Sequence, residues 1–336
     1  MQKRHFIYAL AATVVSAATA NVWAKTGNNS TGKSIVRAMV FGLITPRNAE
    51  QTLKSWSPFL TDLSAYSGVT FEARTYAQQG ELTEDFKKGK LDFAWMGNAP
   101  AIDLVEANVG AVFAQLSVKG QSSYKSLIIV PQNSPLKGLD DIIASKGKYV
   151  FSDGDLRSTS GHIVPRYFAF VKKGVNDPDT LFKEVKRGSH ADNLNRVAKQ
   201  EVDLATNNST ELDLYVQSNP DLAKNIRTIW QSPDIPESPL LWRLAVPAAL
   251  RKKVQDFCTN YGQTPAEKAV LKEMNNLTGF RKSSNKQLVT IADLEMFNAR
   301  QRIVNDSKLS PDEREAKIQA VIKRGTKLEL MLKRVS

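Results

Sequence analysis

Short apolar runs rich in Val, Ile and Phe alternate with amphipathic stretches along most of this chain, and that alternation restricts its fold more than any other feature. Segments 34–43, 69–75 and 92–96 carry the β-branched and aromatic residues of strands. Between them, Leu53, Trp56, Phe59, Leu60 and Leu63 recur at three-to-four spacing, and 81–88 repeats the helical pattern. Pro58 leaves the start of the first helix open, because proline lacks the amide a helix interior uses. Strand and helix in turn, βαβα, predict an α/β domain. A second series follows, with strands at 127–130, 149–152, 202–206 and 226–230 and helices at 139–144, 163–172 and 192–199.

The start of the chain predicts where it works. Lys3, Arg4 and His5 precede an apolar stretch over 6–18, too short to span a bilayer, and Val22-Trp23-Ala24 offers small residues at cleavage positions. Residues 1–24 therefore predict a cleavable signal peptide and a periplasmic product. Cys258 is the only cysteine, so no intramolecular disulfide forms and no lipid-attachment cysteine follows the leader. Its neighbours Val254, Phe257 and Tyr261 make it a core residue rather than a nucleophile.

Roughly 310 of the 336 residues follow the leader, too many for one core, which predicts two domains. The stretch Ser232-Pro233-Asp234-Ile235-Pro236-Glu237-Ser238-Pro239 reads as a crossing between them. The expected division is a first lobe from 33–118 plus 233–290, a second from 119–232, and C-terminal helices over 291–336. In the last helix Ile318, Val321, Ile322, Leu328 and Leu332 share a broad face, which packs on its own domain or forms a homodimer contact.

Lys3 and Arg4 supply two of the formal charges in the total of +12, leaving +10 beyond the leader. Such a field favours anionic ligands. No nucleic-acid-binding motif accompanies it, and the cations are interleaved with acids along helices, so nucleic acid is not an expected partner. Three histidines and one cysteine leave little for a metal site, and no cofactor is implied.

Two segments invite a phosphate-binding interpretation. Gly27-Asn28-Asn29-Ser30-Thr31-Gly32-Lys33-Ser34 satisfies the phosphate-loop pattern, but a strand follows it where the chemistry needs a helix N-terminus. Ser158-Thr159-Ser160-Gly161 precedes the helical pattern over 163–172, so hydroxyls and unpaired helix-start amides meet at one point. Pro165 is tolerated there, since early helical amides lack intrahelical partners. In isolation that loop is an anion site or simply a helix cap.

The chain resembles the phosphonate-binding proteins of ABC transporters over nearly its whole length beyond the leader. The resemblance rests on Trp56-Ser57-Pro58-Phe59-Leu60, Asp92-Phe93-Ala94-Trp95-Met96-Gly97-Asn98, Ser158-Thr159-Ser160-Gly161 and Val202-Asp203-Leu204-Ala205-Thr206-Asn207-Asn208. It continues through Trp230-Gln231-Ser232-Pro233 and Tyr261-Gly262-Gln263-Thr264-Pro265. It implies a two-lobed α/β periplasmic binding protein of type II with a hinge, and a membrane permease as partner. It also implies that Ser158, Thr159, Ser160 and His190 hold the phosphonate oxygens. Aminoalkylphosphonate binders of this kind resemble one another in two tyrosines and in acidic residues that meet the ligand amine. The tyrosine positions fall here on Gln79 and Met96, and the acidic ones on Thr210 and Ser238, with Glu211 and Glu237 as immediate neighbours. Without those carboxylates a buried ammonium is left unpaired. The expected ligand is therefore an alkylphosphonate or phosphite, with phosphate or another tetrahedral oxyanion as the alternative, and Met96 as an apolar wall.

A hydrolase is the alternative of another class, with Ser160, His190 and Asp203 as a triad. No G-x-S-x-G elbow supports it, and the hydroxyls cluster as donors.

Overall fold

The structure, a computed structural model, describes residues 37–45 and 48–333. The predicted leader, the Gly27–Ser34 segment and the first residues of the predicted strand over 34–43 lie outside them. Among the described residues no helix is long and apolar enough to cross a membrane.

In chain order the strands are β1 (Met39–Ile44), β2 (Phe71–Tyr76), β3 (Phe93–Trp95), β4 (Gly110–Val118), β5 (Ser123–Tyr124) and β6 (Ser126–Pro131). They continue with β7 (Val150–Asp153), β8 (Glu184–Arg187), β9 (Leu204–Asn208) and β10 (Ile226–Gln231). The last three are β11 (Ile235–Pro236), β12 (Pro239–Arg243) and β13 (Leu277–Lys282). Six of them form one sheet in the order β13-β4-β12-β3-β1-β2, and five form another in the order β10-β6-β9-β7-β8. The short ribbon β5–β11 stands apart from both. Each large sheet is a mixed one: β1 runs parallel to β2 and β3, while β12 and β13 return antiparallel. The fold is thus α/β with two sheet-centred lobes. Both crossings between the sheets, 119–125 and 232–238, carry a strand of the ribbon, and the second is the proline-rich stretch.

The helix Ala49–Ser67 shows how local signals set an element. Asn48 caps it by accepting from the Gln51 amide, and Gly68, at φ 75°, ends it by returning its N–H to the Ser64 carbonyl. Pro58 does not interrupt it, because Pro58 lies on the exposed face, where water can meet the carbonyl left without a donor. Trp56, Phe59, Leu60 and Leu63 point inward, Trp56 against Phe41 of β1 and Phe59 against Phe257, Tyr261 and Phe280, while Leu53, one turn earlier, stays 41% exposed. Each fully buried side chain of this size contributes about 1.5–3 kcal/mol. Trp56 stacks on Trp95 at 5.1 Å, which ties the helix to the end of β3. Cys258 is fully buried in this core, and burial pushes its thiol pKa up.

The predicted helix over 163–172 is formed differently. Residues Thr159–Ile163 and Arg166–Phe170 are wide π-type turns, with the Ile163 amide bonded to the Ser158 carbonyl and the Val171 amide to the Arg166 carbonyl. Pro165 between them has no amide to continue a ladder. In the C-terminal pair, Val289–Asn305 and Pro311–Lys333, Leu328 and Leu332 are buried against the rest of the chain, whereas Ile322 is exposed.

Candidate functional site

The Ser158–Gly161 loop leaves the C-terminal end of β7 and is packed from behind by bare backbone. The Gly154 amide donates to the Gly161 carbonyl at 3.0 Å, and a Cβ on Gly154 would lie 2.7 Å from Gly161 backbone atoms. Glycine is required there by close approach, not by its dihedral angles. The Thr206 and Ser126 hydroxyls hold the Gly161 and Ser160 carbonyls, both at 2.6 Å. With its carbonyls tied back, the loop presents its hydroxyls forward.

Each hydroxyl has a distinct setting. Ser158 Oγ accepts from the Gly161 amide at 3.0 Å and is the cap of the first wide turn. Thr159 Oγ1 accepts from the Ala99 amide at 3.0 Å, so it reaches across to the other lobe. Ser160 Oγ lies 3.3 Å from His190 Nε2 and accepts from Asn208 Nδ2 at the same distance. His190 opens the helix His190–Ala198, behind a capping box of Ser189 and Asp192. Burial lowers the His190 pKa to about 4, and its Nδ1 is buried without a hydrogen-bond partner. The imidazole is neutral, with one nitrogen able to donate.

These residues line a cavity of about 160 Å³, together with Gln79, Trp95, Tyr124, Thr210, Glu211, Glu237 and Ser238. A cavity of roughly 150 Å³ can hold benzene, so this one is on the scale of a ligand with a handful of heavy atoms. Of the residues singled out in the sequence, Ser158, Thr159, Ser160, His190, Gln79, Thr210 and Ser238 meet here. Met96 does not: it is fully buried in the first core, and Trp95 lines the cavity instead. At a strand end adjacent side chains face opposite sides, so one position separates wall from core.

The expectation of missing carboxylates also changes. Glu237 and Glu211 are both buried in the cavity wall. The Thr210 hydroxyl donates to Glu237 Oε1 at 3.2 Å and the Ser238 amide to Oε2 at 3.3 Å. Burial lifts the Glu237 carboxyl to about 7; the Ser238 and Thr210 donors pull it down, and the charge of Glu211 pushes it further up. The two predicted amine-side positions thus support a carboxylate that sits beside each of them.

Tyr124 was not singled out in the sequence. Its side chain lines the same cavity as Ser160, and burial, followed by the Glu237 charge, raises its pKa. Its only signal was position: a single aromatic among polar residues just ahead of the buried run over 127–130. The triad does not assemble, since Asp203 accepts from the Val150 amide at 2.7 Å and His190 Nδ1 lacks a partner. Among the described residues no cluster of three or more His, Cys, Asp or Glu is arranged to hold a metal ion.

Two lobes, a double crossing with a short ribbon, and a hydroxyl loop at the cleft define a periplasmic binding protein of type II. The family described as "ABC transporter, phosphonate, periplasmic substrate-binding protein" matches residues 41–288, and the chain belongs to it. It is 36% identical over 282 residues to the phosphonates-binding periplasmic protein of Escherichia coli K12, covering 84% of this chain and 82% of that protein. A probable ABC transporter phosphite binding protein of Prochlorococcus marinus is 22% identical over 81% of this chain and 86% of its own length. Among solved structures, a binding protein component of an ABC phosphonate transporter from Pseudomonas aeruginosa superposes with a TM-score of 0.79 at 33% identity. That match covers 87% of this chain and 97% of the other.

Proposed function

We propose that this protein captures a small phosphonate carrying an ammonium group and delivers it to the permease of an ABC importer. One observation carries the choice of ligand: a single cavity holds both oxyanion donors and two buried carboxylates. Ser158, Thr159, Ser160, Tyr124 and a neutral His190 supply hydrogen-bond donors to the phosphonate oxygens without a full positive charge. Each charge-assisted bond contributes about 1.5–3 kcal/mol, so a few suffice for micromolar capture. Glu237 and Glu211 give the ammonium its partner, which removes the desolvation penalty that would otherwise exclude it. The names of the Escherichia coli and Pseudomonas aeruginosa relatives support the phosphonate head.

An alkylphosphonate or phosphite is the second candidate, favoured by the Glu237 carboxyl: at about 7 it is neutral in part of the population and tolerates an uncharged substituent. The Prochlorococcus relative is named for phosphite. Calorimetry against 2-aminoethylphosphonate, methylphosphonate, phosphite, phosphate and sulfate decides between them. Tightest binding of 2-aminoethylphosphonate is expected. Equal affinity for methylphosphonate would transfer the assignment to the second candidate, and equal affinity for sulfate would remove the phosphonate function altogether.

A further inference from the structure

Beside the ligand loop lies a cluster that the binding site itself does not use. Arg157 immediately precedes Ser158, yet its side chain is not part of the cavity wall. A tight turn sets this arrangement. The Arg157 amide donates to Asp155 Oδ1 at 2.7 Å and the Ser158 amide to the Asp155 carbonyl at 2.8 Å. Within that turn Ser158 faces the cavity, while the Arg157 guanidinium leaves the second lobe altogether. Its Nη2 donates to Asp103 Oδ2 at 2.7 Å and to the Ala99 carbonyl at 3.0 Å, both on the helix Asn98–Glu106 of the first lobe. Its Nη1 donates to Glu295 Oε1 at 2.7 Å, on the C-terminal helix Val289–Asn305.

The rest of the loop follows the same direction. Thr159 takes the Ala99 amide, and Ile163 and Val164 are buried in the core shared with the first lobe and the C-terminal helices. Tyr167 packs edge-on against Phe297 at 4.9 Å, and Asn298 Nδ2 donates to the Ile163 carbonyl at 3.3 Å. Separating the lobes on this side would break the Arg157 contacts and the Thr159–Ala99 bond, whereas Ser158 and Ser160 keep their partners within the second lobe. Arg157 thus links the first lobe and the C-terminal helix, through the turn, to the residue next to it.

We propose that Arg157, docked between Asp103 and Glu295, is a positioning residue for ligand retention: it clamps the oxyanion loop to the first lobe when the cleft is shut, and it sets the rate of release. This rests on the phosphonate function assigned to the cavity. A guanidinium suits the task because its planar fork meets two carboxylates and a carbonyl at once, which a lysine ammonium cannot reproduce in that geometry. Glu295 is buried, and burial lifts its carboxyl to about 7 despite the nearby Arg157 charge. It can accordingly take up a proton when the arginine is removed, so Arg157→Ala is expected to fold.

The test uses the full chain and stopped-flow tryptophan fluorescence with 2-aminoethylphosphonate and methylphosphonate, alongside small-angle X-ray scattering without ligand. Arg157→Ala is expected to accelerate dissociation of both phosphonates about tenfold, with association within about twofold of the parent. Arg157→Lys is expected to lie between them. Glu295→Gln and Asp103→Asn, which approach the clamp from the other side, are expected to accelerate dissociation less, and to add little in combination with Arg157→Ala. In scattering, Arg157→Ala is expected to increase the radius of gyration of the ligand-free protein. Unchanged dissociation in folded Arg157→Ala, with the parent binding normally, would overturn the clamp. If the parent bound no phosphonate, the cavity assignment would fail, and the scattering alone would then decide whether Arg157 holds the lobes together.

Discussion

Ser160 sits where three polar neighbours converge: His190, Asn208 and Tyr124. Its hydroxyl is therefore held in place before a ligand arrives, and little ordering entropy remains to be lost on binding. Ser160→Ala removes one bond to a charged oxygen, about 1.5–3 kcal/mol. Calorimetry should show phosphonate affinity falling about ten- to a hundredfold. Glu237 acts on the other part of the ligand. Its carboxyl, lifted to about 7 by burial, must be ionised to meet an ammonium, and below that pH a proton has to leave first. The preference for 2-aminoethylphosphonate over methylphosphonate should therefore grow as pH rises through about 7, and Glu237→Gln should abolish that dependence. Comparing Glu237→Gln with the parent for the same ligand at each pH cancels the titration of the phosphonate itself. The same shift acts on the empty protein in the opposite sense. A carboxyl that binds its proton more tightly folded than unfolded stabilises most at low pH, and that contribution is lost as pH rises through about 7.

At the scale of elements, the loop depends on the wide turns behind it and on the bare backbone contact between Gly154 and Gly161. A methyl group on Gly154 has nowhere to go, because the atoms it meets are backbone. Gly154→Ala should destabilise by about 1–3 kcal/mol in chemical denaturation, the usual range for overpacking. It should also weaken every ligand of the panel alike, unlike Glu237→Gln, which discriminates among them. The wide turns have a comparable origin. Pro165 cannot supply an amide, so the segment that would otherwise be a regular helix is assembled from two shorter pieces. The sequence pattern over 163–172 locates an apolar face correctly, since Ile163, Val164, Ala169 and Phe170 are buried, but periodicity cannot distinguish a helix of one pitch from a wider one over so few residues.

The whole molecule behaves as two lobes joined by two strand-bearing crossings, and a ligand gripped between them should stabilise the fold as a unit. At a hundredfold excess over its dissociation constant a phosphonate adds about 2.7 kcal/mol, visible as an upward shift in melting temperature that Ser160→Ala reduces. Much of this was legible in the residues alone. The alternation of strands and helices, the proline-rich crossing and the Ser158–Gly161 loop are all local: each depends on neighbours in the chain. What the sequence left open lies one residue to either side. Trp95 rather than Met96 faces the cavity, carboxylates stand at Glu211 and Glu237 beside the positions expected to carry them, and Tyr124 joins from the hinge ribbon. A shift of one residue turns a side chain to another face, and only the register of the sheets and the seating of one lobe on the other fix it. The chain by itself thus determined the Ser158–Gly161 hydroxyl loop, because that segment is contiguous. The tertiary structure decided the remainder, because the groups that meet the rest of the ligand come from distant segments and converge only when the two lobes pack.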